Sequence, residues 1–198
     1  MSKPHIADNR ITDEVVILDP ATIAAAVERL AEEVVALFGA DGSICLVGVR
    51  RRGDELARRL AAALARAGQP HPDCGALDIT LYRDDFDSLT PEPVVAESDI
   101  PFSLEGRTVV LVDDVLFTGR TVRAALDELL DLGRPARVVL VVLVDRGWRE
   151  LPIAADLTGR ALETAREDDV QVLLSESDGR EAVLLRRRGE REGEGVGA

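Results

Sequence analysis

The sequence predicts an α/β fold with a mainly parallel, twisted sheet flanked by helices. Three observations carry that expectation. Continuous apolar runs of strand length stand at 44–49, 109–112 and 138–144, the reading of strands covered on both faces. Amphipathic stretches with helical spacing lie between them. Charged loops follow the carboxyl ends of the runs, where open α/β sheets bind their ligands.

Taken in order, residues 14–18 read as a short strand after a polar arm at 1–12. Asp19 and Pro20 suit an N-cap and first helical position, and Ile23, Val27, Leu30, Val34 and Leu37 follow at helical spacing until Gly39 stops the helix. The strand at 44–49 leads into Arg50, Arg51 and Arg52 between Gly48 and Gly53, then a helix over 54–67 closed by Gly68. Three arginines in such a loop either hold a polyanion or form a solvated basic turn. Residues 77–82 alternate apolar and polar, as a half-exposed strand does. Residues 83–101 are acidic, proline-bearing and aperiodic, which suits a lid over a site that must exclude water, with Arg83 at its base. Gly133 and Pro135 end a helix over 122–132, and 138–144 is a further buried strand running into Asp145-Arg-Gly-Trp-Arg-Glu-Leu-Pro152. Late strands are expected at 170–174 and 182–185, before a Gly-, Glu- and Arg-rich tail at 188–198.

Composition narrows the function classes. The length of 198 residues and 46% hydrophobic content suit one domain with a full core, over 13–187. No stretch approaches the roughly 20 apolar residues of a membrane span, and the start lacks a signal-peptide apolar segment, so a cytoplasmic protein with no membrane partner is expected. Cys45 and Cys74 read as reduced structural residues. With His5 and His71 as its histidines, the chain does not suit a histidine base or a His-rich metal site, and no protein-held metal is expected. The net charge of −13 weighs against a general nucleic-acid binder but allows a local basic face, for which Arg58, Arg59 and Arg66 are candidates.

The most informative stretch is Val109-Val-Leu-Val-Asp-Asp-Val-Leu-Phe-Thr-Gly-Arg-Thr121. It reads as a buried strand, two carboxylates at its carboxyl end, then a loop turning into a helix. Thr118, Gly119, Arg120 and Thr121 fall where a helix amino terminus offers backbone N–H groups and a positive dipole end to a phosphate. Asp113 and Asp114 are acceptors for a diol or for Mg2+ and its waters. A phosphate and a hydroxylated ring can then lie side by side.

This string resembles the phosphoribosyl pyrophosphate (PRPP) signature of the type I phosphoribosyltransferases. The flanking blocks Leu46-Val-Gly-Val with Arg52-Gly53, Leu77-Asp-Ile-Thr-Leu-Tyr-Arg-Asp-Asp85, Gly133-Arg-Pro135, and Leu143-Val-Asp-Arg-Gly147 with Arg149-Glu-Leu-Pro-Ile153 are similar to one subfamily. It is the PyrR group, bifunctional uracil phosphoribosyltransferases that also regulate pyrimidine operons by binding leader RNA. The resemblance implies the type I fold with a lid loop and a small hood. It further implies uracil and PRPP as substrates, Mg2+ carried with PRPP, UMP as product, pyr leader mRNA as a partner, and a homodimer or assembly of dimers.

The reaction develops oxocarbenium character at the anomeric carbon, so carboxylates near the ribose and cations on the leaving group are the useful side chains. Asp113 and Asp114 are accordingly assigned to the ribose hydroxyls and cationic ring, Thr118–Thr121 to the 5′-phosphate, and Arg51, Arg52 and Arg83 to the pyrophosphate. By resemblance, Arg146 and the backbone near Val170 face the base or nucleotide. The chain departs from the subfamily at Trp148, where His is usual, at Phe117 for Tyr, at Glu163 for Pro, and along Ala24, Ala25 and Ala26, where the first helix is usually basic. Trp148 either stacks on RNA or base or simply packs. The competing readings are a nucleotide-sensing RNA regulator with little activity, and transfer to another base.

Overall fold

The computed structural model describes residues 11–39, 44–68, 70–79 and 98–188. Its elements are β1 (Ile11–Leu18), α1 (Pro20–Phe38), β2 (Ile44–Val49), α2 (Gly53–Arg66), β3 (Asp73–Leu77), β4 (Thr108–Leu116), α3 (Arg120–Leu132), β5 (Arg137–Asp145), β6 (Leu157–Ala161), β7 (Asp169–Leu173), α4 (Ser175–Asp178) and β8 (Ala182–Arg188).

Five strands form a parallel sheet in the order β3-β2-β4-β5-β6, and the other three form an antiparallel sheet in the order β1-β8-β7. After β2 the chain moves outward to β3, then returns to place β4 on the other side of β2. That reversal makes the carboxyl ends of β2 and β4 the switch point at which open α/β sheets hold ligands. The register deepens the crevice. β2 pairs with β4 only as far as Gly48 opposite Val112, whereas β4 stays paired with β5 to Leu116 opposite Asp145. β4 therefore outruns β2, and its last residues project beyond the point where β2 has turned away.

Side chains alternate across the pleat of β4 and feed two cores. Val110 and Val112 join Leu30, Val34, Leu60, Leu64 and Leu46 under α1 and α2, while Val109 and Leu111 join Ala125, Leu129 and Val142 under α3. Leu129 is wholly buried, which favours the fold by about 1.5–3 kcal/mol relative to an exposed side chain. Asp19 caps α1 by accepting the Thr22 N–H at 2.8 Å, with Pro20 at the first helical position. Close packing at the switch point depends on two glycines. A Cβ on Gly48 would lie 2.3 Å from the Asp54 Cα, and one on Gly53 would lie 2.5 Å from the Val112 carbonyl oxygen.

Several sequence expectations are corrected. A strand is expected at 77–82; the described strand is Asp73–Leu77, and residues 78 and 79 after it belong to no strand. There Ala76 exchanges backbone hydrogen bonds with Asp99 at 2.8 and 2.7 Å, and Gly75 leaves room for that approach. The strand expected at 109–112 continues through both carboxylates to Leu116, because β5 keeps offering it partners. β1 starts at Ile11, within the expected arm, because β8 pairs with it as far as Arg188, within the expected tail. β6 was not anticipated. Residues 1–10 of the arm, 189–198 of the tail, 80–82 of the expected strand and 83–97 of the expected lid, Arg83 included, lie outside the described residues. Among the described residues no helix is long and apolar enough to cross a membrane.

Candidate active site

At the end of β4, Asp113 is buried at 3% exposure and accepts the Asp114 N–H at 2.9 Å. Asp114 is half-buried and accepts the Val115 N–H at 2.8 Å. Burial at the strand end pushes the Asp114 carboxyl above the usual aspartate range, against the opposing pull of the Val115 N–H and the Arg52 charge. Successive side chains on one extended strand point to opposite sides, and Asp114 is the more exposed of the two.

The chain then turns through Thr118 into α3. Gly119 stands at the N-cap with φ 91°, a left-handed conformation that costs glycine little and other residues more. Thr118 Oγ1 accepts the Arg120 N–H at 3.3 Å and half-buried Thr121 begins the first turn. The helix end therefore presents backbone donors beside the two carboxylates.

This loop is fastened to the turn after β5. Thr118 O accepts the N–H groups of Glu150 and Leu151 at 2.9 and 3.2 Å, and Leu116 O accepts that of Arg146 at 3.1 Å. Arg149 spans the junction: Nη1 donates to Phe117 O at 2.7 Å, Gly147 O at 2.9 Å and Leu116 O at 3.3 Å, Nε donates to Ile153 O at 3.0 Å, and Nη2 pairs with Asp145. Arg120 Nε donates to Glu150 at 2.9 Å, and the other Glu150 oxygen accepts from Arg166. The two guanidinium partners hold the Glu150 carboxyl below its usual range.

On the β2 side, Arg51 is exposed, whereas half-buried Arg52 at φ 73° opens α2. Its guanidinium binds the Asp178 carboxylate through Nε at 3.1 Å and Nη2 at 3.0 Å and lies within electrostatic reach of Asp114. Arg146 is buried, stacks over the Phe117 ring at 4.1 Å, and donates to the carbonyls of Ala165 and Arg166 at 2.9 and 3.2 Å. Val170 is buried in β7 opposite Leu185. Trp148, at φ 63° and 44% exposed, donates its indole N–H to Thr164 O at 2.8 Å.

The candidates from β4 and its loop thus share one strand-to-helix connection, Arg52 faces them across the switch point, and Arg146 and Trp148 are both tied to the 164–166 segment. The stripe Arg58, Arg59 and Arg66 does not face outward as free charge: Arg58 meets Asp54 at 2.7 Å, Arg59 meets Glu176 at 2.6 Å and also Glu181, and Arg66 meets Glu28. Sequence reading gave no role to Arg149, Glu150 or Asp178. The first two stood in a quoted block, but what marks them is contact with residues about thirty positions away.

A family model described as the phosphoribosyl transferase domain matches residues 16–173. A protein of Roseiflexus sp. (strain RS-1) named bifunctional protein PyrR is 53% identical over 163 residues, covering 82% of this chain and 89% of that one. A namesake from Pelotomaculum thermopropionicum is 47% identical over 169 residues, covering 85% and 93%. The crystal structure of the hypoxanthine phosphoribosyltransferase of Trypanosoma cruzi, 18% identical, superposes with a TM-score of 0.67 over 88% of this chain and 97% of its own, a likeness of fold.

Proposed function

Because the chain belongs to the bifunctional PyrR proteins of the phosphoribosyl transferase domain family, we propose that its switch-point crevice converts uracil and PRPP to UMP and pyrophosphate. The observation that carries this reading is the pair Asp113 and Asp114 at the end of the overrunning β4, followed at once by a helix amino terminus opened by left-handed Gly119. A ribose 5-phosphate fits that spacing, its phosphate on the N–H groups and hydroxyls of Thr118, Gly119, Arg120 and Thr121 and its hydroxyls on the carboxylates.

In the transfer, a ring nitrogen of uracil bonds to the anomeric carbon, the bond from that carbon to the pyrophosphate oxygen breaks, and the ring proton leaves to solvent. Positive charge grows on the ribose ring and negative charge on the leaving group. Asp113 and Asp114 stabilise the first, and Arg51, Arg52 and Arg83 the second. Mg2+ suits this site as a companion of PRPP: two carboxylate-bearing positions at a strand end match a hard cation that keeps waters and takes phosphate oxygens as ligands, neutralising pyrophosphate charge. Arg146, stacked on Phe117 and gripping 165–166, sets the segment that leads to Val170 on the base side.

Leader mRNA is the second partner, in keeping with the family. The half-exposed Trp148 offers it a stacking surface, whereas Arg58, Arg59 and Arg66 are each paired with a carboxylate. We place the protein in the cytoplasm, as a homodimer or assembly of dimers.

The deciding experiment measures pyrophosphate release from PRPP and Mg2+ with uracil, orotate, guanine or hypoxanthine. Turnover with uracil alone is expected. Turnover with a purine or orotate instead moves the base assignment, and no turnover beside tight UMP binding makes the protein a nucleotide sensor. For RNA, binding of a pyr leader strengthened by UMP is expected; weak binding indifferent to UMP sinks that arm.

A pH prediction follows from Asp114. Its raised carboxyl must be ionised to face a cationic ring, so activity is lost as pH falls through a value above the ordinary aspartate range. The same shift means that ionising Asp114 costs stability as pH rises through that window. The acid limb of kcat/KM for PRPP checks this once the titration of the free PRPP phosphates, which enters the same profile, is measured separately. A limb at the ordinary aspartate value, or below it, contradicts the assignment.

A further inference from the structure

The Arg52 guanidinium is already gripped by a carboxylate. Asp178 meets it with both oxygens, Oδ2 accepting from Nε at 3.1 Å and Oδ1 from Nη2 at 3.0 Å. This two-pronged geometry is the one a phosphate would use on the same guanidinium edge. One edge cannot serve both anions at once.

Asp178 is not there merely to hold the Ser175–Asp178 turn in place. The Ser175–Asp178 turn is fastened to α2 by other contacts: Arg59 pairs with Glu176 and Glu181, and Ser177 Oγ donates to Glu55. Within the turn, Asp178 Oδ2 accepts the Leu174 N–H at 2.9 Å, a role that a neutral amide oxygen also fills. The negative charge is thus separable from the structural acceptor.

We propose that Asp178 is an internal competitor of pyrophosphate for Arg52, setting how tightly the leaving group is held. The inference rests on the reading of Arg52 as a pyrophosphate ligand. Without pyrophosphate, Asp178 keeps Arg52 ordered at the mouth of the crevice. When pyrophosphate arrives, Arg52 exchanges one anion for the other, so part of the gain on binding is cancelled by the pair that is lost. Pyrophosphate is both part of the substrate and a product, and the competitor weakens its hold in both forms and favours release.

The test uses the full chain and pyrophosphate with Mg2+ as the probe, binding being followed by calorimetry and by product inhibition. Asp178→Asn is expected to tighten pyrophosphate roughly three- to tenfold, the scale of a partly exposed charge-assisted pair. It should lower KM for PRPP by a similar factor and leave KM for uracil unchanged. Asp178→Glu, which keeps the charge and shifts its position, should fall between the two. Arg52→Gln should weaken pyrophosphate, and in its background Asp178→Asn should no longer tighten it. Unchanged or weaker pyrophosphate binding in Asp178→Asn, with Arg52→Gln also weakened, overturns the competitor and leaves the Arg52 assignment standing. Unchanged binding in Arg52→Gln overturns that assignment and the inference with it.

Discussion

Replacing Asp113 and Asp114 together with Asn is expected to lower kcat roughly 10²- to 10⁴-fold, the scale on which removing preorganised charge from a reaction centre acts. Folding should barely notice. An Asn oxygen can still accept the Asp114 and Val115 N–H groups that the two carboxylates accept now at 2.9 and 2.8 Å. Burial already disfavours the charged form of Asp114, so a neutral side chain removes an unfavourable term from the native state. The thermal midpoint of the double variant should therefore equal or exceed that of the native protein while turnover collapses. Steady-state pyrophosphate release and a melting curve on the same preparation check both halves. Normal kinetics would refute the assignment of these carboxylates, and a large fall in midpoint would make them structural.

The residues behind that prediction are also the part of the site that was legible in the sequence. A buried strand ending in two adjacent acids, followed by Thr, Gly, Arg and Thr, breaks local rules in a way that packing does not require. All the residues concerned lie within one strand, loop and helix start. Contacts made across the fold left no such trace. Arg52 and Asp178 meet only because the Ser175–Asp178 turn reaches the start of α2. β1 and β8 pair from opposite ends of the chain, so the three-stranded sheet could be inferred from resemblance but not from periodicity. β6 was hidden for another reason: its five residues, Leu157–Ala161, are partly exposed and include Gly159. A Cβ on Gly159 would come within 2.5 Å of the Leu143 carbonyl oxygen, so the glycine that weakens the strand signal is what lets β6 lie against β5.

Arg149→Met should lower stability by about 2–4 kcal/mol and raise KM for PRPP more than KM for uracil. The substitution keeps an apolar stem of similar reach but removes every donor. The carbonyls of Leu116, Phe117, Gly147 and Ile153 and the Asp145 carboxylate each lose a guanidinium N–H. Leu116 O keeps the Arg146 N–H and Asp145 keeps the Gly147 N–H, so the loss falls on the half-buried carbonyls of Phe117, Gly147 and Ile153. An unsatisfied acceptor costs about 1–3 kcal/mol when buried, and at a junction where the Arg149 side chain is 21% exposed water restores much of it. The midpoint of urea unfolding, compared at unchanged slope, measures the first effect. The second follows from what the Arg149 turn supports. Its Glu150 and Leu151 N–H groups hold Thr118 O, and the side chains of Leu151 and Ile153 would lie 3.5 and 3.3 Å from a Cβ on Gly119. The shape of the Thr118–Thr121 loop is therefore imposed from behind by this turn, and on the proposed reading a turn that loosens costs affinity for the 5′-phosphate first. Arg149→Lys is expected to recover little, because one ammonium cannot reach carbonyls on both sides of the junction. An unchanged unfolding midpoint, or equal rises in both KM values, would mean that the loop keeps its form without this buttress.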